Sequence, residues 1–98
     1  MSSTFEALQA PPSALEHGGT EILRAAILTS GELQVTLRRA FDEPDVWGML
    51  LADVARHAAR IFATEAKINE DSALERIRLV FEAELDSPTD LGATNSIS

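Results

Sequence analysis

The fold class this sequence predicts is α+β: a β-hairpin followed by two antiparallel amphipathic helices packed on one sheet face, a ββαα two-layer sandwich. Three observations predict it. Residues 21–39 are rich in aliphatic and β-branched side chains and are broken at their centre by Thr29, Ser30 and Gly31, which is a hairpin signal. Residues 43–65 carry large apolar side chains at helical spacing. A second helical stripe follows a polar break at residues 67–71 and ends at Ser87 and Pro88. The short break favours neighbouring antiparallel helices, and both stripes need a surface to cover, which the hairpin face supplies.

In chain order, residues 1–19 read as a flexible N-terminal arm. Ser2, Ser3 and Thr4, then Pro11 and Pro12, then Gly18 and Gly19 punctuate it, with room for one short turn around residues 13–17. Phe5 and Leu8 are the arm's means of docking onto the domain. Residues 20–87 form a single α+β domain, because the large apolar residues lie almost wholly between Ile22 and Leu85. Residues 88–98 are polar and small and read as a disordered C-terminal tail.

The side-chain pattern selects the hairpin register. Leu23, Ala25 and Ile27 share one face of the first strand, and Leu33, Val35 and Leu37 one face of the second. A three-residue loop with Gly31 in the left-handed conformation pairs Ile27 with Leu33 and Leu23 with Leu37. A two-residue turn would slip the apolar set onto the wrong face. The other face, with Ile22, Arg24, Ala26, Leu28, Gln34, Thr36 and Arg38, is mixed. A two-stranded sheet also leaves two rows of unpaired backbone groups at its edges, so either the arm or another chain is expected to cover one.

The first helix is expected over about residues 43–65, with Asp42 as N-cap and Pro44 in the first turn, where its missing N–H costs nothing. Phe41 and Val46 occupy the two positions of a hydrophobic staple. Trp47, Leu50, Leu51, Val54, Ala58, Ile61 and Phe62 make its apolar stripe, with Trp47 a core anchor. Asn69 or Ser72 caps the second helix, and Ser72 with Glu75 fits a capping box. Leu74, Ile77, Val80, Phe81 and Leu85 form its stripe, and Arg78 can pair with Glu82 one turn on.

Composition narrows the function classes. The 98 residues hold 8 Lys and Arg against 16 Asp and Glu, a net charge of −8. Nucleic acid and anionic membrane surfaces are both bound by Lys and Arg, so both are disfavoured as partners. Four Phe and one Trp leave few aromatics for base stacking once the core is supplied. Cysteine is absent, which removes disulfides, thiolate metal sites and thiol nucleophiles and suits the reducing cytoplasm. No secretory signal or membrane span is expected.

No recognisable catalytic, metal or cofactor motif is present. His17 and His57 sit in distant segments without metal-ligand spacing, no carboxylate set forms a calcium loop, and Gly18 and Gly19 precede a strand rather than a phosphate-binding helix. The one suggestive constellation is Asp53, Arg56, His57 and Arg60 on the polar face of the first helix. Spacing of four lets the Asp53 carboxylate orient the His57 imidazole, while Arg56 and Arg60 offer positive charge to an anion; Arg24 and Arg38 of the hairpin would add to it. The plain alternative is a solvated helix face. The leading expectation is therefore a non-enzymatic protein-interaction module without cofactor, self-associating through a hairpin edge or binding another protein. The competing expectation is a small-molecule or anion-binding protein that uses the Arg56, His57 and Arg60 face.

The arm with Pro11 and Pro12, the strand Glu21, Ile22, Leu23, Arg24, Ala25, and the strand Leu33, Gln34, Val35, Thr36, Leu37, Arg38 carry a resemblance. So do Phe41, Asp42, Glu43, Pro44 and the run from Trp47 through Gly48, Met49, Leu50, Leu51, Ala52, Asp53, Val54, Ala55 and Arg56 to His57. Together they resemble a family of short uncharacterised alphaproteobacterial proteins, known as a domain of unknown function. The likeness implies a bacterial cytosolic protein of about this length and brings no activity, cofactor or site residues.

Overall fold

Gly31 (φ +91°) turns the chain between two strands, β1 (Leu23–Ile27) and β2 (Leu33–Leu37). A computed structural model describes residues 4–89 and the strand at residues 94–96. Expectations for residues 1–3, 90–93 and 97–98 of the arm and tail lie outside the described residues. The loop is the three-residue one: the Leu28 N–H donates to the Glu32 carbonyl and the Gly31 N–H to the Leu28 carbonyl, each at 2.8 Å. The register is Leu23 with Leu37, Ala25 with Val35 and Ile27 with Leu33, as the apolar pattern requires.

A short helix, α1 (Pro12–His17), occupies the turn expected in the arm, with Pro at its first position and Gly18 (φ +87°) closing it. After the hairpin the chain reverses at Ala40, which takes a left-handed φ of 66°. The Phe41 N–H closes this tight turn onto the Arg39 carbonyl at 2.7 Å, and the Trp47 indole Nε1 donates to the same oxygen at 2.7 Å. Trp47 also meets Phe41 edge to face, with ring centroids 5.9 Å apart. These bonds hold a conformation that costs an alanine about 1 kcal/mol.

Helix α2 (Pro44–Glu65) begins one residue later than expected. Its N-cap is Glu43, not Asp42, and no side chain bonds the free N–H groups; Pro44 removes one of them instead. Lys67 (φ 56°) turns the chain after α2, and α3 (Glu70–Asp86) starts under an Asn69 cap whose Oδ1 accepts the Ser72 N–H at 3.1 Å. Arg78 faces back to Glu75 at 3.8 Å, where the sequence suggested a pair with Glu82. Past Pro88, the Thr89 N–H and hydroxyl both donate to the Glu84 carboxylate, at 2.9 and 3.0 Å.

The fold class is the expected α+β with a hairpin followed by two helices. Two features of its assembly differ in detail. A third strand, β3 (Thr94–Ser96), pairs in parallel with β2, so part of the stretch expected to be a disordered tail is a sheet strand. The physical reason is the open edge of β2, whose unpaired backbone groups accept any extended segment within reach. The helices pack against each other and the strands against each other, but among the described elements no helix comes into close contact with a strand. The hairpin's apolar face is accordingly uncovered at its tip, where Ile27 is 76% and Leu33 60% exposed. Burial is instead concentrated between the helices, at Ala59 and Ala73.

Candidate functional site

Three rows of side chains run along α2, and each faces a different environment. Successive residues turn by about 100°, so Ala55, Ala59 and Ala63 form one row. Ala59 is fully buried and its two companions half-buried, which marks this row as the one facing α3. Across from it Ala73 is 5% exposed, with Leu74 and Ile77 half-buried beside it. Methyl groups let the two backbones approach closely, and Asn69 aligns the start of α3 by accepting the Ala73 N–H on its carbonyl at 2.9 Å.

The second row holds the charged constellation. Asp53, Arg56, His57 and Arg60 are all exposed and lie on one side of α2. Arg60 reaches toward Glu70 at 3.8 Å, both side chains about half-exposed. The pair ties the end of α2 to the start of α3 only weakly, as surface ion pairs do.

Arg24 and Arg38 lie elsewhere, at the open end of the hairpin, gathered by Glu21. The Arg24 guanidinium donates to the Glu21 carboxylate through Nε and Nη2, at 3.1 and 3.0 Å. It also lies 5.4 Å from the centroid of the Phe5 ring, which is one way the arm docks. Arg38 Nε donates to the Glu21 carbonyl at 2.8 Å. The six candidate residues therefore form two sets, because neither β1 nor β2 comes into close contact with α2. Glu21 is the residue that sequence reasoning passed over here. Its place three residues before Arg24, just ahead of β1, was the available signal.

The third row is the apolar one, and it is the part of the molecule that most needs explanation. Leu51 continues the alanine row one turn earlier, Phe62 lies three residues on from Ala59, and Val54 and Ile61 stand farther round α2; the four are 39–55% exposed. On α3, Val80 and Leu85 are more exposed still. The described residues bury no polar or charged side chain, and no three His, Cys, Asp or Glu among them are grouped to hold a metal ion. No helix among them is long and apolar enough to cross a membrane.

A solved structure from the photosynthetic bacterium Rhodopseudomonas palustrus is similar along the whole chain. It is 45% identical, with a TM-score of 0.75, and the match covers 99% of each chain. That protein carries the provisional name pyruvate dehydrogenase. None of the curated proteins compared with the chain matches it. A family model matches residues 7–89, from the arm to the end of α3, and the chain accordingly belongs to that family, a domain of unknown function (DUF5076).

Proposed function

We propose that this chain is a small non-enzymatic protein-interaction module whose uncovered apolar surface is its working part. The observation that carries the reading is the burial pattern. Among the described residues two alanines are buried, while large apolar side chains from α2, α3 and the hairpin tip stand in solvent. Apolar patches beyond a few hundred Å² are rare on free monomers and mark surfaces that another molecule covers.

The name of the similar Rhodopseudomonas protein raises a competing reading, oxidation of pyruvate. Decarboxylating a 2-oxo acid requires a cofactor that stabilises the acyl carbanion, held in a pocket that shields it from water. Such a pocket is built around buried polar groups that orient the cofactor, and the described residues bury none. The described residues thus do not fit that group.

The test combines an assay with a surface probe. Purified chain supplied with pyruvate, thiamine diphosphate, Mg²⁺ and an electron acceptor is expected to give no turnover above the protein-free control. Measurable turnover that copurifies with the chain would overturn the proposal. An apolar-surface dye should bind the free chain, unless a stable assembly already covers the patch. A monomer that binds no dye would remove the basis of the reading.

A further inference from the structure

We infer that β1 pairs antiparallel with β1 of a second copy, about a two-fold axis at Ala25, joining two sheets edge to edge. The inference goes beyond the reading above: it concerns backbone groups at a strand edge rather than apolar side chains, and it stands or falls separately. The sequence leaves both hairpin edges open to such pairing; the structure separates them. β3 pairs along the edge of β2, whereas β1 has β2 on one side and no strand on the other among the described residues.

The hydrogen-bond phase says which groups of β1 are free. The Arg38 N–H donates to the Ile22 carbonyl at 2.9 Å, and the Leu28 N–H to the Glu32 carbonyl at 2.8 Å. Bonded and unbonded positions alternate along an antiparallel pair, so Ile22, Arg24, Ala26 and Leu28 turn their backbone groups toward β2. Leu23, Ala25 and Ile27 turn theirs outward. The arm does not take them. It meets the mixed face through Phe5 and Arg24, and among the described residues no backbone hydrogen bond joins residues 4–10 to β1. A free edge is ordinarily protected by a proline, a bulge or a charge on the apolar face. β1 has none of these: its register with β2 is unbroken, and its one charge, Arg24, stands on the mixed face.

The strand is its own complement, and this selects a second copy. Hydrogen bonds can be exchanged only where an outward residue faces an outward residue. A two-fold through Ala25 sets Leu23 opposite Ile27 of the other copy and Ala25 opposite Ala25, so every outward residue of β1 is bonded. Moving the axis to Arg24 would set two guanidinium groups directly opposite each other. Moving it to Ala26 would set Leu23 opposite Thr29, beyond the end of the strand. The Ala25 register also joins like faces: Ile27, 76% exposed, comes beside Leu23 on the apolar face, and Arg24 lies opposite Ala26 on the mixed one. A two-fold contact needs this reciprocity, in which each residue meets the residue that meets it. A foreign strand would have to bring the same alternation in the same phase; a second copy brings both.

The chain has no cysteine, so introduced thiols report the register directly. Sedimentation equilibrium of the full chain is expected to give twice 10.6 kDa at micromolar concentration. In the paired copies the two Cα atoms of residue 25 stand about 5.5 Å apart, within disulfide reach, whereas those of residue 27 are more than about 13 Å apart. Ala25→Cys should therefore oxidise to a covalent dimer at least about tenfold faster than Ile27→Cys. Ala25→Pro removes an outward N–H and no bond to β2, and should give a folded monomer in the same sedimentation measurement. The thiol comparison decides by itself should that variant fail to fold. A dimer whose thiols cross-link equally fast at positions 25 and 27, or one that Ala25→Pro leaves folded and dimeric, would overturn the inference. So would a monomer; if it binds the apolar-surface dye, the interaction-module reading stands without the pairing, and if it binds none, both fall.

Discussion

Within the single helix α2, the row facing α3 is made of alanines and the neighbouring flank of Leu51, Val54, Ile61 and Phe62. Ala59 at the centre of the alanine row is buried and Ala55 and Ala63 are half-buried, while the flank is about half-exposed. This inverts the usual arrangement, in which the largest apolar side chains make the intrachain core and small residues fill in around them. Small residues at a helix contact purchase close approach and little apolar area, so the α2–α3 pair is held in geometry more than it is stabilised. The flank is only one part of the apolar surface left in water, since Leu8, Leu15, Ile27, Leu33, Val80 and Leu85 are more exposed than any of its four residues.

That contrast can be broken from its buried side first. Ala59→Leu puts three extra carbon atoms into a contact with no free volume, and overpacking of this kind costs about 1–3 kcal/mol. Chemical denaturation at fixed protein concentration should show the loss, and an unchanged midpoint would mean that the helices are not close-packed at this point. A milder cut is Asn69→Ala, which removes the side-chain cap on α3 one turn before Ala73 enters the seam. A destabilisation of about 1 kcal/mol is expected, with the loss of helix signal confined to the start of α3 in hydrogen exchange. The smallest effect belongs to the charged face. Replacing Arg56, His57 and Arg60 together with Ala should change stability by no more than about 0.5 kcal/mol, since exposed charges away from a buried partner contribute little. A larger change in thermal melting would show that these side chains are structural.

The hairpin was the most legible region, and the reason is local. Strand register depends on a period of two and on one glycine in a left-handed turn, both written within about fifteen consecutive residues. The extent of α2 and the Asn69 cap on α3 were legible for the same reason, since spacing and capping residues are near neighbours in the chain. The Asp42 cap was misplaced by one residue because Pro44 satisfies the helix start by itself. Arg24, Arg38, Asp53, Arg56, His57 and Arg60 could be named from their chemistry. That they form two sets, one of them drawn in by Glu21, depended on where the hairpin stands relative to α2.

The sequence by itself determined the ββαα order, the hairpin register, the two helices and their amphipathic faces, and the lack of any catalytic or metal-binding spacing. Only the tertiary structure decided which apolar surfaces meet. A stripe of Leu, Val, Ile and Phe states that a surface must be covered and says nothing of what covers it, because hydrophobic attraction has no direction. Here the helices close on alanines at Ala59 and Ala73, a third strand takes the edge of β2, and the flank from Leu51 to Phe62 stays open. The choice was made by backbone approach: two helices joined by the four residues 66–69 come closest where their side chains are smallest, and the larger ones are left for another surface.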